Sequence, residues 1–293
     1  MSILRYSNFY FFLSAFLIVA CVGVIFLFGL QLGIEFTGGS ILEVEYDGNV
    51  PAPTELRGNL SELQLESLQI QNSGERGMIV RMKTIPEETH AKILETLGAG
   101  VKELRFESIG PVIGRELREK TFIIVGLSLI IIAAYIAFAF RRITQPLKSW
   151  QWSFVAFLGL LHDLFIPLGV FAVLGEFRNQ EFSIPVVVAL LTVLGYSINN
   201  NIVVFDRVRE NLTKRVGIDF ADTVERSIKQ TFTRNLNTSL TTLIPLFAIF
   251  FLGGETLQGF TLALIIGIMV GFYSSLFFAP AFLVRYFGRR KNP

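Results

Sequence analysis

The sequence predicts an α-helical membrane protein with six transmembrane helices and one outward α+β domain of ferredoxin-like order. Three observations predict it. Hydrophobic residues fill 52% of the 293 positions and charged residues only 17%, a balance that a water-soluble domain of this length could hardly keep in solution. Six apolar runs, at 9–30, 122–140, 152–175, 182–205, 237–252 and 257–287, are read as spans of a bilayer whose ~30 Å of hydrocarbon takes roughly 20 helical residues. Between the first and second runs lies the one long polar segment. The chain therefore divides into 1–30 with the first span, 31–120 as the outward domain, and 121–293 with spans two to six, their loops and the tail.

The spans are oriented by the basic residues between them, because positively charged loops resist translocation. Arg141, Arg142 and Lys148 come after the second span; Arg207, Arg209, Lys214, Arg215, Arg226 and Lys229 after the fourth; Arg285, Arg289, Arg290 and Lys291 end the chain. The opposite connections, GEFRNQE and GGETL, are nearly free of lysine and arginine. Both termini are thus expected in the cytoplasm and the large domain outside. The formal net charge of +2 says nothing about nucleic acid, and none is expected as a partner; the distribution of the charges reports orientation. Cys21 is the single cysteine, which excludes an internal disulfide and a cysteine-cluster metal site. The run stays apolar after it, so the first span reads as a retained anchor.

Within 31–120 the pattern becomes globular. SILEVEY alternates like a half-buried strand, PTELRGNLSELQLE has helical spacing, and SLQIQN and GMIVRMKT flank the turn residues NSGERG. PEETHAKILETLG opens with proline and acids and closes with glycine, as a helix should, and VKELRFES completes the series. The order βαββαβ is that of the ferredoxin-like arrangement, an antiparallel sheet with both helices on one face. The domain has no evident nucleophile, metal-ligand cluster or phosphate-cradling loop, so it is expected to bind rather than catalyse. His90 is placed on the polar, solvated face of its helix.

A charge at the bilayer centre costs at least about 2.5–3.5 kcal/mol, so ionisable residues inside a span are functional candidates. In LLHDLF of the third span, His162 and Asp163 lie near mid-span. Helical neighbours point about 100° apart, so these two are expected on different faces, one serving an interhelical bond and the other a water-lined cavity. In GYSINNNIVVFDRVREN of the fourth, Ser197 shares a face with Asn200 or Asn201, and Asn199 stands beside them. Amides only donate and accept hydrogen bonds, so the cluster suggests either polar packing or a hydrated path. Entering the fifth span, Arg234 precedes Asn235, Asn237, Thr238, Ser239, Thr241 and Thr242, a lining too polar for a lipid-facing surface. Arg234 either snorkels to the interface or turns inward to an anion. Gly267, Gly271, Ser274 and Ser275 of the last span are read as packing features.

Five blocks together carry a resemblance: GIEFTGGS after the first span, ESIGPVIGRELREK before the second, LLHDLF, GYSINNNIVVFDRVREN, and SIKQTFTRNLNTSLTTL entering the fifth. In this order and topology the chain resembles the SecF family of bacterial SecDF protein translocases, within the resistance-nodulation-division superfamily. The resemblance implies a multi-pass protein of the inner membrane with a periplasmic domain, acting beside a SecD-like subunit and the SecYEG channel on a translocating polypeptide. It implies the proton motive force as driver, with sodium the coupling ion in some relatives, and no metal or organic cofactor. Glu35, Gly38, Gly39, Gly110 and Pro111 are carried over as motif residues. His162, Asp163, Ser197, Asn199, Asn200, Asn201, Arg234 and Thr238 are carried over as the intramembrane polar relay.

This chain departs from the family pattern twice. Glu35 stands where the motif has aspartate, which keeps the charge. Asn200 stands where the fourth-span motif has a carboxylate, and an amide cannot carry a proton. Asp206 is expected to pair with Arg207 or Arg209 at the interface, so the titrating task falls to Asp163, His162 or a carboxylate of SecD. The rival readings are a half-length exporter of small molecules or lipids, a purely structural partner of SecD, and an intramembrane hydrolase. The hydrolase lacks a HExxH motif, a paired aspartate motif or a serine placed by a base, so no enzyme activity is expected.

Overall fold

The computed structural model describes residues 4–74, 76–98, 100–139 and 147–287, which fall into two compact units. The chain enters through helix α1 (Ser7–Phe28), then builds the unit Leu32–Ile123. That unit runs from a helical turn α2 (Ile34–Thr37) to β1 (Gly39–Tyr46), α3 (Pro53–Asn59), β2 (Gln69–Ser73), β3 (Gly77–Met82), α4 (Glu87–Leu97) and β4 (Val101–Ile109). The strands form one antiparallel sheet in the order β2-β3-β1-β4, as the βαββαβ reading requires.

Alternation along the strands decides which face is covered. Leu42, Val44 and Tyr46 of β1 and Met78, Val80 and Met82 of β3 point to one side. There they meet Leu56 and Leu60 from α3 and its exit and Ile93 from α4, all buried. The predicted helix over 53–66 is shorter in the structure. It ends at Asn59, and the chain passes through left-handed conformations at Gln64 (φ 47°) and Ser67 (φ 58°) on its way to β2.

His90 is a correction. It is buried, because β4 lies over the helix face that spacing marks as polar. Its ring stacks on Phe106 at 3.8 Å with 6° between planes, and its two nitrogens lie 3.1 Å from Glu87 and 3.2 Å from Glu103.

Two of the motif blocks meet in this unit. Gly38 adopts φ +77°, and a Cβ there would lie 2.7 Å from the Cα of Pro111 and 2.9 Å from its nitrogen. A Cβ at Gly114 would lie 2.7 Å from the backbone nitrogen of Gly38. Backbone thus packs on backbone, and only hydrogen fits at either position. Gly39 (φ +142°) is pressed against the Met82 carbonyl, whereas nothing around Gly110 demands glycine. Glu35 sits half-buried in the first turn of α2.

The second unit holds α1, the part of α5 (Pro111–Ala139) from Ile124 on, α6 (Ser149–Arg178), α7 (Ile184–Thr213) and α8 (Phe220–Leu252). The last span is interrupted: α9 (Glu255–Tyr273) leads through a π-helical turn, Ser274–Phe278, into α10 (Ala279–Phe287). Six helices among the described residues are long and apolar enough to cross a membrane. They extend beyond the apolar runs because ion pairs one turn apart continue the helix into the polar boundary. Lys120–Glu116, Lys214–Glu210 and Arg226–Asp222 are such pairs. Of the basic residues used to orient the chain, Arg141, Arg142, Arg289, Arg290 and Lys291 lie outside the described residues.

The most apolar stretches of α6, α7 and the last span are 56%, 50% and 61% buried, against 6% for α1 and for α5 and 17% for α8. Three helices therefore form the interior. Gly169 of α6 lets α1 approach closely, since a Cβ there would lie 2.5 Å from Cys21 Cβ.

Candidate functional site

The interior of the three buried helices is polar at one place. His162 and Asp163 of α6, Ser197 and Asn201 of α7, and Ser274 of the π turn all have 0% exposure, and Asn200 has 1%. Asp163 is the centre. Its Oδ2 accepts from the Ser197 hydroxyl and, at 2.7 Å, from the Ser274 hydroxyl, while its Oδ1 lies 2.9 Å from His162 Nδ1. Hydrogen bonds to a charged acceptor contribute about 1.5–3 kcal/mol each. Three of them are of the same size as the several kcal/mol lost on desolvating one ion. Pro167, one turn on, has no N–H for the Asp163 carbonyl, so one rung of α6 is missing beside the site.

The expectation that His162 and Asp163 face apart is corrected. Their Cβ directions do diverge, but Nδ1 sits close to the histidine backbone and the aspartate turns along the helix surface to reach it. The imidazole then lies against Phe278 (centroids 5.0 Å, 16° between planes) and Tyr273 (5.9 Å, 28°), and its Nε2 is buried without a hydrogen-bond partner. Tyr273 continues outward, its hydroxyl donating to the Tyr10 carbonyl at 3.2 Å and lying 3.2 Å from the Ser14 hydroxyl of α1.

Serine hydroxyls both donate and accept, so Ser197 can donate to an ionised Asp163 or accept from the acid, while Ser274 has the Gly271 carbonyl at 3.2 Å as a second acceptor. An amide has no such freedom. Asn201 donates to the Ser197 carbonyl at 3.2 Å, and its Oδ1 has no partner. Asn200 is buried with its Nδ2 unpartnered, on the α7 stripe that also holds Tyr196, whose hydroxyl donates to Ser239 of α8 at 3.3 Å. Asn235, one turn before Ser239, is 1% exposed, and its Nδ2 is likewise unpartnered.

The other sequence candidates are not brought to this centre. Asn199 is exposed, Arg234 is exposed on α8, and the half-buried Thr238 donates to the Arg234 carbonyl at 2.9 Å. Of the two readings of Arg234, the inward one is corrected: Arg234 lies on the exposed face of a helix that shows little of itself to the bundle. Asp206 is exposed and pairs with Arg209 at 3.3 Å, while Arg207 bonds Glu210 and Gln230. Ser274 is the residue whose role sequence reasoning misses. A serine pair in an apolar helix is the only signal, and spacing alone marks it as packing. Among the described residues no group of three histidine, cysteine or acidic side chains is gathered as a metal site.

Comparison with known proteins finds matches along nearly the whole chain. A family described as protein export membrane protein SecD/SecF, C-terminal, matches residues 89–289, and the SecD/SecF GG motif matches 23–50. The protein translocase subunit SecF of Thermobaculum terrenum is 36% identical over 297 residues, covering 96% of this chain and 92% of that protein. SecF of Desulfurispirillum indicum is 38% identical, covering 90% of this chain and 85% of its own length. The crystal structure of SecDF from Thermus thermophilus superposes with a TM-score of 0.85 at 34% identity, covering 98% of this chain. This chain spans 38% of that longer SecDF chain. With the same fold as SecDF, a SecD/SecF match over most of its length and SecF relatives covered almost end to end, the chain belongs to the SecD/SecF family of protein export membrane proteins, on its SecF side.

Proposed function

We propose that this chain is the SecF-type subunit of a protein-export translocase in the bacterial inner membrane, and that it couples ion movement to export through His162 and Asp163. The observation that carries the proposal is the buried Asp163 side chain, held by hydroxyls of two other helices that keep a hydrogen-bond partner in either of its protonation states. In this reading the outward ferredoxin-like unit is periplasmic and handles the translocating polypeptide emerging from SecYEG, both termini are cytoplasmic, and a proton is the coupling ion.

A SecD-like partner is supported by two features. The exposed face of α8 carries Arg234, Asn237 and Thr241, which are costly against lipid and suited to another protein. The SecDF relative of Thermus thermophilus contains a match to this chain as 36% of its length. Asn200 favours the rival reading of a purely structural partner, because the family's carboxylate is missing there.

One experiment separates the two. The chain is reconstituted with its SecD-like partner and the channel in proteoliposomes, and export is measured with and without an imposed proton gradient. Asp163→Asn is expected to abolish the gradient-dependent part, at least tenfold, and Asn200→Asp to leave it intact or raise it. Full gradient-driven export by Asp163→Asn would defeat the relay reading and leave the structural one.

A further inference from the structure

We infer that the π-helical turn Ser274–Phe278 is the moving part of this subunit, released when Asp163 takes up a proton. The inference rests on the reading of Asp163 as the site of protonation and adds the element that responds.

A π turn inserts one extra residue into a helix, and such turns are short, rare and frequent at functional sites. This one is gripped at both ends by the two ionisable residues of α6. At its start the Ser274 hydroxyl donates to Asp163 Oδ2 at 2.7 Å. At its end the ring of Phe278 stacks on His162, and Tyr273, just before the turn, stacks on the same imidazole. The groups facing the pair from other elements are Ser197 of α7 and, through Tyr273, Tyr10 and Ser14 of α1. Among the described residues the phenols of Tyr273 and Tyr10 are the only other titratable groups in that chain of contacts.

Protonation changes the hydrogen-bond count at one atom. As a carboxylate, Oδ2 accepts from both Ser197 and Ser274. With a proton on Oδ2, that oxygen becomes a donor and no longer holds both hydroxyls in the same sense. Ser274 has a second acceptor already in reach, the Gly271 carbonyl of its own helix at 3.2 Å. The hydroxyl falls back to it, the turn loses its anchor to α6, and the extra residue is free to move along the helix or be absorbed. Each residue of register rotates the downstream helix by about 100°. That helix is α10, whose Arg285 bonds Asn8 and lies over the rings of Phe11 and Phe12 at 5.1 and 5.5 Å. A proton taken up in the bundle interior is thus read out where the last helix meets the first.

The test is hydrogen exchange of the full chain with its partner in lipid nanodiscs, measured in peptides covering 270–287. Asp163→Asn, which mimics the protonated acid, and Ser274→Ala, which removes the anchor alone, are both expected to speed exchange across 274–287 by fivefold or more. Ser275→Ala, whose hydroxyl donates to the Phe272 carbonyl of its own helix, is expected to change it less than twofold. Should Asp163→Asn prove unable to fold, Ser274→Ala alone decides. Exchange within twofold of the parent for Ser274→Ala overturns the inference. If export is lost in Asp163→Asn while exchange is unchanged in both variants, the relay stands and only the moving turn is refuted. If exchange rises while gradient-driven export survives, the turn is anchored as described and the relay reading fails.

Discussion

Replacing Gly38 by alanine tests why two glycine-containing blocks about seventy residues apart are both present. At φ +77° and ψ 156° the backbone of Gly38 is in a region essentially reserved for glycine, where another residue costs of order 1–3 kcal/mol. The new Cβ would also stand 2.7 and 2.9 Å from Cα and N of Pro111, backbone atoms that cannot rotate away. Overpacking of that kind costs typically about 1–3 kcal/mol. Together these predict roughly 2–6 kcal/mol of local destabilisation, or about 30-fold to over 10,000-fold faster opening. The assay is hydrogen exchange of peptides covering 33–46 and 107–118 in the full chain, which reads local opening without requiring two-state unfolding of a two-unit protein. Gly58→Ala is the matched control. It lies within α3 with nothing within 4 Å of its Cβ, so alanine there should stabilise by about 0.5–1 kcal/mol. Exchange in Gly38→Ala within twofold of the parent would refute the close-packing account.

Two further outcomes are expected. Tyr46 is buried with its hydroxyl unpartnered, so Tyr46→Phe should raise the stability of the outward unit by about 1 kcal/mol in denaturant melts. Burial also pushes the Tyr46 phenol above its ordinary value, which means the folded state resists its ionisation. The stability cost is therefore absent at neutral pH and appears as pH rises past the unfolded value of about 10, so Tyr46→Phe should lose less stability there than the parent. Equal alkaline loss in the two proteins would contradict this. In the membrane unit, Gly169→Ala forces a Cβ to within 2.5 Å of Cys21 Cβ and 2.9 Å of its Cα, at a cost of about 1–3 kcal/mol visible as earlier thermal unfolding in detergent. Adding Cys21→Gly removes the two nearest atoms and should recover part of the loss. Additive losses would show the two residues to be uncoupled.

The sheet is legible in the sequence because its signals are local. Period-two alternation in SILEVEY and GMIVRMKT, with turn residues between runs, is enough to order four strands and place two helices over one face. The spans are legible for the same reason, although apolar composition marks only the lipid slab. The helices run past it on i,i+4 ion pairs such as Lys214–Glu210. Whatever depends on a second element is hidden. His90 has a polar helical position, yet Phe106 and Glu103 come from a strand that spacing alone does not bring over it. Gly38 and Pro111 each look like turn residues until they are seen to touch. Ser274 looks like packing until a carboxylate from another helix stands 2.7 Å away.

The same distinction bears on the proposed relay. In sequence, His162 and Asp163 diverge by a helical step, and the eye goes to the three asparagines of α7 because they are conspicuous in an apolar run. Their chemistry argues the other way. Asn200 and Asn235 leave buried N–H groups unpartnered, and Asn201 leaves an oxygen so, because an amide's donors and acceptors are fixed and their neighbours do not complement them. Asp163 is surrounded instead by two hydroxyls and an imidazole, groups that can each reverse the sense of a hydrogen bond or change charge. A site that must exist in two protonation states inside a bilayer needs neighbours that are satisfied in both. In this chain the groups able to meet that requirement are gathered on α6, on α7 one turn before Asn201, and at the π turn, so the proposed relay does not depend on Asn200, where the resemblance implies a carboxylate.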